Sequence, residues 1–105
     1  MRSRALLSIF LLIVVAALRP THAHAPLFDC FADGKDKISC EGGFSDGSSA
    51  TGIVVRVLDG QEKVLLEGKI DADGRFAFAR PAVEFHVLFD AGAGHKVTVF
   101  GADIQ

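Results

Sequence analysis

Turn formers recur about every 8–12 residues from Asp33 onward, and the stretches between them alternate apolar with polar side chains. That rhythm leaves room for short strands and none for packed helices. The clearest pair lies late in the chain. Val83, Phe85, Val87 and Phe89 alternate with Glu84, His86 and Leu88, the period-2 pattern of a half-buried strand. Val97 and Val99 continue the pattern beyond Gly92 and Gly94, glycines that allow the positive φ a tight connection often needs. Earlier strands are then expected to pack on this pair.

Upstream, Leu27 to Ala32 and Lys37 to Phe44 flank the turn-rich Asp33-Gly34-Lys35-Asp36, which predicts a hairpin. A turn centred on Lys35 sets Cys30 directly opposite Cys40. Facing residues of a non-hydrogen-bonded antiparallel pair lie about 4.5 Å apart at Cα, within disulfide reach. A Cys30–Cys40 bridge closing so short a loop would contribute about 2–3 kcal/mol. The polar stretch from Ser45 to Gly52 leads to a strand from Ile53 to Leu58, with Ile53, Val55 and Val57 on one face. Asp59-Gly60 signals a hairpin, Val64 to Ile70 the return strand, and Asp71-Ala72-Asp73-Gly74 the next turn. Phe76 and Phe78 then point inward, and Pro81, which cannot donate to a ladder, ends that strand. The sum is about seven strands in a small antiparallel β-sandwich of immunoglobulin-like or prealbumin-like kind. The full chain has nine phenylalanines and no tryptophan or tyrosine, so the apolar core lacks the buried tryptophan of antibody domains.

Not all of the chain belongs to that domain. Arg2 and Arg4 precede an apolar run from Ala5 to Leu18, followed by the small residues around Thr21, Ala23 and Ala25. This reads as a secretory signal segment over residues 1–23, leaving a domain over residues 24–105. The run is shorter than the roughly 18 residues of a spanning helix, although an uncleaved anchor stays open. Cleavage after Ala25 would leave Pro26 first, a poor substrate, so cleavage after Ala23 is favoured and His24 becomes the first residue. Three arginines and no acids leave with the segment. The formal charge then falls from −2 to −5, with eight basic against thirteen acidic residues. A mildly acidic domain without a basic cluster argues against nucleic acid and anionic membrane surfaces. The expected location is periplasmic or extracellular, where a disulfide persists.

No Gly-x-Ser-x-Gly elbow, His-Glu-x-x-His pair or phosphate-cradling loop is present, so no enzyme activity is expected. Asp71-Ala72-Asp73-Gly74 starts like an EF-hand loop, but its twelfth position is Ala82 and no helices flank it. The histidines offer more. His22 and His24 flank the processing point, and a first-position His24 would offer both its α-amine and its imidazole to one ion. Pro26 has no N–H, so chelation through successive amides would stop at Ala25. His95, flanked by glycine, is free to orient, whereas His86 is expected to face solvent on its strand and is the weaker candidate ligand. Imidazole and amine nitrogens suit Ni, Cu and Zn.

Three stretches also resemble a known family. Glu41-Gly42-Gly43-Phe44-Ser45-Asp46-Gly47 is similar to the "EGYFSDG" element of NikL-type accessory components of ECF-type nickel transporters. Val64-Leu65-Leu66-Glu67-Gly68-Lys69-Ile70-Asp71-Ala72-Asp73-Gly74-Arg75-Phe76-Ala77-Phe78 resembles its "LLEGKTDEDGxFxF" hairpin. Ala91-Gly92-Ala93-Gly94-His95-Lys96 resembles its "AGxGHR" element, with Lys96 where that element has arginine. The resemblance implies an extracytoplasmic module that assists a membrane-embedded transporter subunit in taking up Ni²⁺, with Co²⁺ as the second candidate. In it His95 matches the glycine-flanked histidine and His24 the N-terminal one, while His86 matches nothing. Cys30 and Cys40 stand outside the pattern. Imidazole ligands must be deprotonated to bind, so affinity should fall below pH ~6.5. Two other classes stay open on the residues alone. One is a structural or adhesive prealbumin-like module with no metal role, and the other a periplasmic copper-binding protein built on an N-terminal histidine chelate.

Overall fold

A computed structural model describes residues 24–105. The expected signal segment, with His22, lies outside the described residues. Seven strands follow in order: β1 (Pro26–Ala32), β2 (Lys37–Phe44), β3 (Val54–Asp59), β4 (Val64–Lys69), β5 (Arg75–Ala79), β6 (Phe85–Asp90) and β7 (Lys96–Phe100). A 3₁₀ turn, Gly101–Asp103, follows β7. The strands form two antiparallel sheets, ordered β1-β2-β5 and β4-β3-β6-β7, which pack as a small β-sandwich. Among the described residues no helix is long and apolar enough to cross a membrane.

The first hairpin turns where its sequence predicts. The β1–β2 register sets Cys30 opposite Cys40, and the two are joined in a disulfide. Gly34 supplies the positive φ at that turn, and the Asp33 N–H donates to the Lys37 carbonyl at 2.9 Å. The core follows from alternation. Phe85, Val87 and Phe89 of β6 and Val55 and Val57 of β3 are buried, and Ile38, Cys40 and Phe78 meet them from the other sheet. The sheets approach closely at Gly42 on β2, where a Cβ would stand 2.9 Å from the Phe89 ring. Only glycine fits there without moving the largest buried side chain.

One inward assignment changes. Val83 does not continue the Phe85–Phe89 face but is 55 % exposed. The ladder explains it. β6 pairs with β3 as far as Asp59 opposite Phe85, and there β3 turns away through Asp59-Gly60, leaving nothing to pair Val83. Similarly, Val64, Leu65 and Leu66 of the return strand are each more than 40 % exposed, because β4 is the outermost strand of its sheet. Ile70, just past β4, is buried at 2 % and closes the core between the sheets.

Strand direction decides what meets at each end. β1, β3, β5 and β7 begin where β2, β4 and β6 finish, as the pairs Pro26 with Phe44, Glu41 with Arg75, Val54 with Lys69 and Asp90 with Lys96 show. One end of the sandwich therefore gathers His24, the connection from Ser45 to Ile53, the Asp71–Gly74 turn and the Ala91–His95 turn. The opposite end carries the Asp33–Asp36 and Gly60–Lys63 turns and the connection around Pro81.

Candidate metal site

His24 precedes β1 and is fixed by the residue after it. The Ala25 N–H donates to Ser45 Oγ at 2.8 Å, and the Ser45 N–H donates to the Ala25 carbonyl at 2.8 Å. This two-way clasp lays the His24 ring edge-on against Phe44, with ring centres 4.8 Å apart. Phe44 in turn meets the buried Phe89 ring edge at 6.1 Å. The Ala25 amide is thereby engaged and not free to join the His24 imidazole in a chelate.

Behind the ring stands Asp46. Its Oδ1 accepts hydrogen bonds from the Ser48 hydroxyl at 2.6 Å and the Ser48 N–H at 2.9 Å. That Asx-type turn leaves Oδ2 facing His24 Nδ1 at 3.4 Å, with both side chains about half exposed. The Ser48 hydroxyl, then its N–H and to a smaller extent His24 hold the Asp46 carboxyl below the usual carboxylate range.

His95 comes from the turn between β6 and β7. Gly92 and Gly94 take φ of 104° and 77°, and the His95 N–H donates to the Gly92 carbonyl at 2.9 Å. The turn is anchored on the sheet through Asp90, whose Oδ1 accepts the Gly92 N–H at 3.1 Å and whose Oδ2 takes Arg56 Nη1 at 2.8 Å. Arg56 first, and the Gly92 amide second, keep the Asp90 carboxyl below its ordinary range. Glu67 holds the other side of the same guanidinium, at 2.9 Å from Nε.

The structure brings His24 and His95 together. Their ring centres are 5.7 Å apart. A metal about 2.1 Å from an imidazole nitrogen lies roughly 3.2 Å from the ring centre, so two imidazoles sharing an ion have centres about 5–6.4 Å apart. The observed separation falls inside that window. The second nitrogen of each ring decides which nitrogen is free. His24 Nδ1 faces the Asp46 carboxylate, and His95 Nδ1 lies 3.3 Å from the Ala93 carbonyl. An acceptor at Nδ1 favours the proton there and leaves the lone pair on Nε2, the arrangement by which outer groups orient metal-binding histidines. Among the described residues, no group of three or more His, Cys, Asp or Glu side chains forms a ready-made cage. The pair is thus two neighbouring imidazoles, not a closed structural cage.

His86 is elsewhere. It sits at the far end of the β6–β7 hairpin, opposite Phe100, and does not join His24 and His95. Nor does it face solvent freely. Its side chain is 14 % exposed, with Nε2 3.5 Å from Glu62 Oε1 and its ring 6.0 Å from that of Phe100. A cleft of about 360 Å³ there is lined by Glu62, Glu84, His86 and Thr98 among others. The Asp71–Gly74 turn is a hairpin turn, its first carboxylate occupied by its own backbone. Asp71 Oδ1 accepts the N–H groups of Asp73 and Arg75, each at 2.9 Å.

Sequence reasoning missed Asp46 as a partner of His24. Asp46-Gly47-Ser48 signals a turn, but only the fold brings residue 24 against it. Compared with models of known families, with curated proteins and with solved structures, this chain matches none.

Proposed function

We propose that this domain is an extracytoplasmic accessory module of a nickel or cobalt uptake transporter, in which His24 and His95 take up the ion and pass it to a membrane-embedded subunit. The observation that carries the reading is the 5.7 Å separation of two rings that come from opposite ends of the domain sequence. Their Nδ1 atoms both face acceptors, which favours Nε2 as donor on each ring. Two borderline nitrogen donors suit Ni²⁺ and Co²⁺, and positions left open on the ion suit exchange rather than permanent residence. Further support comes from the order of the three stretches that resemble the NikL-type component. Their turns, Ser45–Gly47, Asp71–Gly74 and Ala91–His95, all fall at the end of the sandwich that holds the histidine pair. The Cys30–Cys40 disulfide fits export to an oxidising compartment.

The test is calorimetric titration of Ni²⁺ and Co²⁺ into protein beginning at His24, with the intact mass recorded on the same sample. Binding to the parent protein that disappears in a folded His95→Ala variant supports the reading. A folded parent protein that ignores both ions would remove it and leave a bracing or adhesive role.

A further inference from the structure

We infer that two copies of this domain pair antiparallel through the free edge of β4, centred on Gly68, to join their four-stranded sheets across a two-fold axis. Among the described residues the sandwich has four edge strands, β1, β5, β4 and β7, each with backbone groups that pair with no further strand. Three are poorly suited to pairing with themselves. β1 has Asp29 as its one charge, β5 has Arg75 and β7 has Lys96, so self-pairing matches none of them with an opposite charge. β1 is also engaged near both ends, through the Ala25–Ser45 clasp and the Ala32 N–H donating to the Gln105 carbonyl at 3.1 Å.

β4 differs in charge, surface and register. It is the one edge strand that carries both signs, Glu67 and Lys69, two residues apart and both exposed. It also holds three consecutive exposed apolar side chains, Val64 at 48 %, Leu65 at 41 % and Leu66 at 41 %. The backbone fixes which groups are free. Ile70 bonds inward, its N–H donating to the Ile53 carbonyl at 2.9 Å, and the register then runs regularly from Lys69 opposite Val54 to Leu66 opposite Val57. Alternation along that stretch directs the backbone groups of Gly68 and Leu66 toward β3 and those of Glu67 and Lys69 off the edge. The irregularity of β4 lies beyond, where Leu58 pairs with Val64 and Leu65 is skipped.

An antiparallel partner centred on Gly68 uses only the regular part. Glu67 faces Lys69 of the second copy, and Lys69 faces its Glu67, so the outward backbone groups of both residues bond in pairs and opposite charges sit directly across the seam. Leu66 then faces the Ile70 position of the second copy on the inner side, where the half-buried Phe76 packs beneath Gly68. Arg56 bonds Glu67 through Oε1, leaving Oε2 for the facing lysine. A register centred on Leu66 would instead oppose Lys63 with Lys69, and one centred on Leu65 would fall on the irregularity. Charge and ladder agree on one alignment.

Sedimentation equilibrium on protein beginning at His24, at concentrations up to about 1 mM, tests this. The parent protein should dimerise reversibly. Lys69→Glu places two glutamate pairs across the seam and should weaken dimerisation by about tenfold or more, with Glu67→Lys doing the same through lysine pairs. The double variant Glu67→Lys/Lys69→Glu restores opposite charges and should recover dimerisation to within about threefold of the parent. Because Glu67 also bridges Arg56, Lys69→Glu carries the test should Glu67→Lys prove unfolded by circular dichroism. In that event Leu66→Lys joins it and should also weaken the dimer. A parent protein that stays monomeric at the highest concentration, or a dimer indifferent to Lys69→Glu, overturns the proposal.

Discussion

The two ends of the sandwich each hold a histidine beside a carboxylate, yet the pairs are built for different ends. At the β1 start, His24 presents Nδ1 to Asp46 at 3.4 Å, with both side chains about half exposed. At the other end of β6, His86 presents Nε2 to Glu62 at 3.5 Å and is itself 14 % exposed, on the ring of Phe100. The distances are nearly the same. What differs is the nitrogen engaged and the company kept. Asp46 acts on the nitrogen nearer the backbone and leaves the outer one for a ligand, and a second imidazole stands 5.7 Å away. Glu62 faces the outer nitrogen itself, and among the described residues no second imidazole is near. The contact at His24 thus leaves the outer nitrogen open, whereas the contact at His86 engages it.

The sharpest way to break that comparison is to loosen each end from within the core. Phe89 is fully buried and reaches the histidine pair through Phe44, while Phe85 is 5 % exposed and packs at the opposite end against Gly101. Phe89→Ala and Phe85→Ala should each cost about 3–5 kcal/mol in denaturant titrations. Of the two, only Phe89→Ala should weaken Ni²⁺ binding while the protein is still folded. Equal weakening by both would mean the two ends are not independent. Next in size, His95→Ala should reduce Ni²⁺ affinity by more than about a hundredfold, exceeding the loss from a group that only supports a ligand. His86→Ala should leave it unchanged in the same calorimetric titration.

The sandwich was legible in the sequence because its causes are local. Alternation along Phe85–Phe89, glycine and aspartate at the turns and the symmetry of Cys30 and Cys40 about Lys35 each act within a few residues. Val83 misled because alternation says nothing about where the neighbouring strand ends, and β3 turns away at Asp59. His95 was legible as an accessible residue between glycines. Its distance from His24 was not, since these residues are 71 positions apart in the sequence and meet only when β1 and β7 close one side of the sandwich. Asp46 was hidden for the same reason, and His86 looked exposed because the Gly60–Lys63 turn that covers it lies on another hairpin.

Asp46 sharpens the comparison at smaller cost. Asp46→Asn keeps the Ser48 turn acceptor but removes the charge behind His24. It should lower Ni²⁺ affinity by about ten- to a hundredfold, the usual penalty for losing an outer carboxylate. Glu62→Gln, the matching change at the other end, should leave Ni²⁺ affinity where it was. Loss of affinity from both substitutions would point to net charge rather than to orientation of His24.

The smallest effect separates the ends by acid. Asp46 is held below the usual carboxylate range chiefly by the Ser48 hydroxyl, and Asp59, at the other end, chiefly by the Lys63 and Gln61 amides. Asp90, held mainly by Arg56, supports the His95 turn. A carboxyl with a depressed folded pKa binds protons more weakly folded than unfolded. Its contribution is therefore present above the ordinary aspartate value of about 3.9 and is lost as pH falls through the lower folded value. Urea midpoints measured between about pH 5 and pH 2 should accordingly fall as acid is added. Asp59→Asn should flatten part of that fall without touching Ni²⁺ binding at neutral pH, because its turn serves only the far end. Asp46→Asn should flatten another part and weaken Ni²⁺ binding as well. An acid profile that neither substitution alters would place the pH-sensitive groups outside both turns, and the two aspartates would then shape loops without stabilising the fold.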